Sequence, residues 1–392
     1  MKSLHGTVIT DGKTLEDHVV TYEDDHIVSV QPKSEFKGEA EKVEGYIVPG
    51  FVDIHNHGGY GGDFPSGDET ASRKAVDFHH RSGSTSIQAS TVTADKETLL
   101  STLATMAKLA EEELIEGIHL EGPFISIDKC GAQDPRYIIE PDMEMVDEMV
   151  KVSKGYLNTM TYAPEKNGAH ELVKHLIKND VTPSLGHTST EVVDAITSLE
   201  TIAKAYEGTY KVPTTTHTFN AMPPINHRDP GPIPPCMSKA SKGNMVLELI
   251  ADGTHINLTV IKAMFDSVGA ENIALITDAM AAAGLKDGEY KLGPQDVIVK
   301  DSVARLKRDG AIAGGTSTLH SQIQLNAKNG MALEELILSA TAVPARIIEQ
   351  SRKLERKIGT LSTDAYADIV ILDKDLELRQ VIRRGKELDL KA

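Results

Sequence analysis

Residues 49–59 read PGFVDIHNHGG: a proline, an apolar run of strand length, two alternating histidines and a pair of glycines. If GFVDI is a buried strand, its period of two puts His55 and His57 on one face and Asn56 on the other. Two imidazoles then point at one spot, where burial is unfavourable unless both rings find a partner, and a divalent metal ion is one such partner. A hydrogen-bonded pair of strand-end histidines would look the same in isolation. The reading therefore turns on what the rest of the chain brings to that end of the strand.

Working outward, the pattern repeats. Between about residues 50 and 349, short β-rich runs alternate with longer helical patterns, as in successive βα units of a parallel sheet. The strand candidates are GFVDIH (50–55), TSIQAST (85–91), IEGIHLEG (115–122), YLNTMTYAP (156–164), TPSLGHTS (182–189), PTTTHTFN (213–220), MVLELIADG (245–253) and NIALITDAM (272–280). Eight in one series predict an α/β fold with a (β/α)8 TIM-like barrel. The intervening segments support it: in residues 95–113, Leu99, Leu103, Met106 and Ala110 form one apolar stripe. Residues 289–310 interrupt the series and read as an inserted hairpin. No internal repeat or low-complexity segment is evident.

The two ends of the chain read as short alternating strands separated by turn residues. They predict a small β-sandwich domain, built from residues 1–48 and 358–392 and packed beside a barrel of residues 49–357.

A length of 392 residues accommodates both units, and a formal net charge of −17 argues against nucleic acid or an anionic membrane as a partner. A phosphorylated small molecule would need a local cradle of Arg, His and backbone N–H groups instead. Cys130 and Cys236 are the only cysteines, in no zinc or disulfide pattern. With no signal-like or membrane-length segment, this predicts a cytoplasmic protein.

In a TIM barrel, chemistry collects at the C-terminal ends of the strands. His55 and His57 end the first strand, Glu121 the third, His187 the fifth, His217 the sixth and Asp278 the eighth, while His255 lies in the loop after the seventh. Four histidines and a glutamate offer N and O ligands for one or two divalent ions of zinc, iron or manganese, with Glu121 able to bridge a pair. A hydrolytic metal site also needs a general base beside the water it activates, and Asp278 is the carboxylate left over. Taken singly, each residue has an ordinary explanation as a helix cap or a satisfied core group. Six of them at one end of one barrel is an arrangement that packing does not require. His119 faces the same way one layer deeper and reads as core or supporting. His79 and His80, on a helix, read as surface, and His5, His18, His26, His170 and His175 fall outside any convergent set.

PGFVDIHNHG, HLEGPF, GHT, THTFNAM, ADGTHI and TDAM together resemble the amidohydrolase superfamily and, within it, the N-acetylglucosamine-6-phosphate deacetylase family. The likeness spans nearly the whole chain, including the GTLSTDAYADIVILD segment near its end. It implies metal-dependent hydrolysis of the acetamide of an amino-sugar phosphate, releasing acetate and the amine. Carried over by motif, Glu121, His187 and His217 resemble the family's metal ligands, and His55 and His57 the extra pair of members that hold a second ion. Asp278 resembles the base that later protonates the departing amine. Asn220, Ala221, Arg228 and His255 resemble substrate contacts, Arg228 reaching the neighbouring site in a homodimer. AGGTST, ending at Thr318, resembles a loop that closes on the sugar.

One departure stands out. Where the family commonly has a histidine that polarises the acetyl carbonyl, this chain has Gln133 in CGAQDP, a neutral donor unable to carry charge. Cys130 beside it reads as part of a possible lid; as a nucleophile it lacks a His–Asp pair. Two other readings stay open: an amidohydrolase acting on a different N-acyl or cyclic amide, and a non-catalytic sugar-phosphate sensor.

Overall fold

The computed structural model describes residues 1–390. Eight parallel strands form one sheet in chain order: β1 (Val52–Asn56), β2 (Ser86–Ser90), β3 (Gly117–Glu121), β4 (Leu157–Tyr162), β5 (Thr182–Leu185), β6 (Thr214–Thr215), β7 (Val246–Leu249) and β8 (Ile273–Leu275). All eight candidates are therefore strands, each shorter than the β-rich run that announced it. The seam between β8 and β1 is closed just beyond β8, where Asp278 N–H donates to the His55 carbonyl at 2.9 Å and His57 N–H to that of Ala279 at 2.8 Å. Closure thus sets Asp278 beside the two histidines. Asp53 reinforces the seam from inside, accepting from the Thr277 hydroxyl at 2.6 Å and from Asn56 Nδ2 at 2.8 Å.

A helix follows each strand: α1 (Glu69–Arg81), α2 (Lys96–Glu111), α3 (Met143–Val152), α4 (Ala169–Lys178), α5 (Val192–Ala205), α6 (Ile233–Ala240), α7 (Leu258–Val268) and α8 (Leu319–Lys328). The sequence shows why α2 begins and where it faces. The Asp95 carboxylate accepts from Thr98 N–H at 3.0 Å, capping otherwise orphaned donors, and Leu99, Leu103, Met106 and Ala110 are all buried against the barrel. On α1 the surface expectation fails for His79 and His80, which are 0% and 7% exposed. They follow buried Ala75 and Val76 by one helical turn and so continue the inward stripe. His79 Nε2–H donates to the Gly58 carbonyl at 2.9 Å, supporting the turn after His57.

The chain ends build one continuous sheet of seven strands: Lys2–Thr10, Lys13–Glu23, His26–Pro32 and Glu41–Pro49 from one end, Ile369–Asp373, Leu378–Arg383 and Lys386–Glu387 from the other. The sheet folds over itself. Ile27 N–H donates to the Ala365 carbonyl at 2.8 Å, and Leu4, Val20, Ile27, Ile47, Ile369 and Ile382 share one apolar cluster between the facing strands. The inserted segment has one strand more than a hairpin: Gly288–Leu292, Gln295–Lys300 and Val303–Leu306 form an antiparallel sheet. The third strand is reached through Asp301 and Ser302, both with positive φ (52° and 62°), a tight turn that no glycine announces. This small sheet packs by Leu292, Val297 and Leu306 against Val92 and Met280 at the barrel mouth. No helix among the described residues is long and apolar enough to cross a membrane.

Candidate active site

Each of the six residues expected at the barrel mouth comes from a different strand end except the pair on β1, and all six side chains meet. Glu121 is the centre. Its Oε1 lies 2.9 Å from His187 Nε2 and 3.0 Å from His217 Nε2, and its Oε2 lies 3.2 Å from His57 Nε2. Asp278 Oδ1 is 3.1 Å from His57 Nε2 and 3.4 Å from His55 Nε2. The donors fall into two triads, Glu121–His187–His217 and His55–His57–Asp278, with the ligand atoms of each within 4.8 Å of one another. The backbone turns sharply to achieve this: His187, His217 and Asp278 all have positive φ (45°, 29° and 47°), a conformation that L residues adopt only when the surroundings impose it.

Hydrogen bonds around the triads fix two of the four rings, His187 and His55, from outside. His187 Nδ1 lies 2.8 Å from the Lys129 carbonyl, which can only accept, so Nδ1 carries the proton. Glu248, from the middle of β7, holds the other side: its Oε2 accepts from His217 N–H at 3.1 Å and from His55 Nδ1 at 3.1 Å. The Nε2 atoms point at each other and at carboxylate oxygens, His55 to His57 at 3.2 Å and His187 to His217 at 3.1 Å, while the Nδ1 atoms of His57 and His217 are buried without a hydrogen-bond partner. Lone pairs converging at these distances repel unless a cation or a proton stands among them.

Proton affinities show the same need. Burial opposes charge on His57, yet Asp278 and Glu121 override it and raise its pKa to about 10. Burial also opposes charge on Glu121, but the surrounding imidazoles, His187 first, hold it well below the usual carboxylate range. His55 is pushed toward its neutral form by burial, and Glu248 is pushed well above the ordinary carboxyl value by the same cause. The cluster thus draws positive charge to its centre, and a divalent ion on deprotonated imidazoles supplies it without a proton on His57. The donor set, nitrogen and oxygen with no sulfur, suits zinc, iron or manganese.

A cavity of about 370 Å³ opens over the triads. Of the residues expected to meet a substrate, Gln133, Asn220, Ala221 and His255 line it. His255 is steadied by Asp252, whose Oδ2 lies 2.8 Å from Nδ1. Cys130 sits at the rim between two lining residues, Lys129 and Gly131. Arg228 and Thr318 are not brought in. Arg228 is exposed on the loop after β6, and the Thr318 hydroxyl accepts from Ser321 N–H at 3.2 Å as the cap of α8; Gly314, from the same loop, is the residue that reaches the cavity. His119 is core, as expected, with its nitrogens 3.0 Å from Ser90 Oγ and 2.7 Å from Thr161 Oγ1 and its ring against that of His55.

Three participants escaped the sequence reading. Glu248 stands in an apolar strand where only the direction of the barrel interior marks it as inward. Lys129 acts through its carbonyl, on which sequence has no purchase. Arg308, from the inserted sheet, donates to the Gly131 carbonyl at 2.7 Å and ties that sheet to the rim.

A barrel with histidine–carboxylate triads at the strand ends defines a class of metal-dependent hydrolases, and the comparison with known families agrees: residues 46–388 match the amidohydrolase family, to which the chain belongs. Among its relatives, the chain is 33% identical to the N-acetylglucosamine-6-phosphate deacetylase of Bacillus subtilis, over 96% of this chain and 94% of that protein. It is 29% identical to the N-acetylgalactosamine-6-phosphate deacetylase of Escherichia coli O157:H7, over 97% of both. Its fold superposes on a mutant of the Mycobacterium smegmatis N-acetyl-D-glucosamine-6-phosphate deacetylase in complex with N-acetyl-D-glucosamine-6-phosphate, with a TM-score of 0.90, 34% identity and 98% of each chain covered.

Proposed function

We propose that this chain hydrolyses the acetamide of N-acetylglucosamine 6-phosphate to glucosamine 6-phosphate and acetate, using one or two divalent ions. The observation that carries this reading is the convergence of two triads under a cavity of sugar size, in a chain 33% identical, over nearly its whole length, to a Bacillus subtilis protein named for this deacetylation. Glu121, His187 and His217 would hold one ion, and His55 and His57 a second, beside Asp278. A bound ion would acidify a water and polarise the acetyl carbonyl.

The chain's own groups would do the rest. The histidines engage Asp278 Oδ1, which leaves Oδ2 to take the proton from the attacking water and then to return it to the departing amine. His255, Asn220 and the backbone at Ala221, which line the cavity, would supply donors to a phosphate. Arg228 is exposed and outside this cavity, a position that suits service to a neighbouring copy in a homodimer. Such a cradle would deliver locally the positive charge that the acidic chain lacks overall, in keeping with a role in the cytoplasm.

Acetate release from N-acetylglucosamine 6-phosphate, measured before and after chelation and with the galactosamine epimer alongside, tests the proposal. Release that vanishes with the metal and returns with zinc is the expected result. Full activity in protein shown to be metal-free would end it, and tight phosphosugar binding without turnover would favour a sensor.

A further inference from the structure

Gln133 is buried between the ends of β2 and β3, and both ends of its amide are committed. Thr93 N–H can only donate, so the atom 2.6 Å from it is the amide oxygen. The NH2 group therefore faces Glu121, 2.7 Å from Oε2. The loop that carries Gln133 is itself anchored, its own N–H donating to the Cys130 carbonyl at 2.8 Å. Glu121 Oε1 is shared by His187 and His217 and Oε2 faces His57 at 3.2 Å; the Gln133 amide adds to Oε2 a donor anchored on backbone, which limits the twist of the carboxylate about its terminal bond. An imidazolium at position 133 would fix that twist but would also neutralise the charge that draws a cation to Glu121. A neutral amide fixes it and leaves the charge in place.

We propose that Gln133 is a positioning residue, which sets the rotation of the Glu121 carboxylate so that Oε1 is presented to the ion of the His187–His217 site, rather than a group that polarises the acetyl carbonyl. This rests on the metal-dependent reading above. Outer partners of this kind are typically worth about 10- to 100-fold in metal affinity.

The experiment compares the wild type with Gln133→Met, which keeps length without a donor, and Gln133→His, which keeps a donor. Zinc dissociation constants come from chelator competition, apoprotein melting temperatures from calorimetry, and kcat and KM from assays at saturating zinc. Gln133→Met is expected to weaken zinc binding about 10- to 100-fold and, because the buried Thr93 N–H loses its acceptor, to lower apoprotein melting modestly, with kcat recovered once zinc is saturating; Gln133→His, measured at an alkaline pH where its imidazole is neutral and still a donor, is expected to bind zinc as the wild type does. Should the Met variant not melt cooperatively, Gln133→Ala takes its place. Unchanged zinc affinity in the donor-free variant overturns the proposal, most directly if kcat falls at the same time, because that pattern belongs to carbonyl polarisation. A wild type that binds no zinc overturns it in a different way, by removing the metal-dependent function on which it stands.

Discussion

Strand β3 carries a buried glutamate at each end, and the two are satisfied in opposite ways. Glu116, just before the strand, accepts from Ile87 N–H at 2.8 Å and lies 3.2 Å from Arg384 and 3.7 Å from Arg383, which the C-terminal strands bring in. Glu121, at the other end, has imidazoles around it instead. A guanidinium never gives up its proton, so the Glu116 cluster is complete as it stands and welds the small sheet to the barrel. Imidazole can lose its proton and offer a lone pair, so the Glu121 cluster is completed only by something added. One strand thus serves structure just before its first residue and chemistry at its last, and the choice of cationic partner separates the two.

Truncation at each end should therefore have opposite signatures. Glu121→Ala is expected to abolish acetate release and metal retention even in the protein that still folds. Within the same cluster, Asp278→Asn should lower kcat by about 10²- to 10⁴-fold, the usual worth of a general base, with metal content unchanged by elemental analysis. Loss of the ion in that variant would show Asp278 acting mainly as a ligand. Glu116→Ala should do the reverse: a loss of about 3–5 kcal/mol in denaturant unfolding, as for other buried ion pairs stripped of one partner, with kcat retained in the folded fraction. If kcat fell as far as it does for Asp278→Asn, the division of labour along β3 would be wrong.

A weaker contrast sets the cavity against the loop after β6. Arg228→Ala should raise KM for the phosphosugar by about 10- to 100-fold, the equivalent of one charged hydrogen bond, while kcat stays within about twofold. Mixing this variant with a catalytically dead Asp278→Asn chain sharpens the test: if Arg228 serves a neighbouring copy, mixed dimers recover a low-KM population that neither parent has. No recovery, with dimers confirmed by light scattering, would place the Arg228 contact within its own chain.

The barrel was legible because each strand announced itself as a short β-rich run, and the six converging residues because each is a histidine or carboxylate where such a run ends. What stayed hidden depended on direction. Glu248 sits in VLEL like any alternating residue, and only the closed barrel shows that its side chain points at His55. His79 and His80 looked exposed because histidine is polar, although the helical period from Ala75 and Val76 already placed them inside. The third inserted strand hid behind a turn of Asp301 and Ser302 in place of a glycine. Gln133 could be seen as an exchange for histidine, but not that its amide is spent on Thr93 and Glu121, because backbone donors leave no mark on sequence.

Thr318 poses the smallest and cleanest question of this kind. The resemblance places it on the sugar; the structure gives its hydroxyl to Ser321 N–H, while Ser321 Oγ accepts in turn from Thr318 N–H at 3.0 Å, a reciprocal cap on α8. A cap of this type is worth about 1 kcal/mol, and a hydroxyl accepting from the backbone is turned toward its own helix and away from a ligand. Thr318→Ala should accordingly lower stability by about 1 kcal/mol and leave KM unchanged, whereas Thr318→Ser, which keeps the cap, should alter neither. A tenfold rise in KM without loss of stability would return Thr318 to the sugar and require α8 to start differently when the cavity is filled.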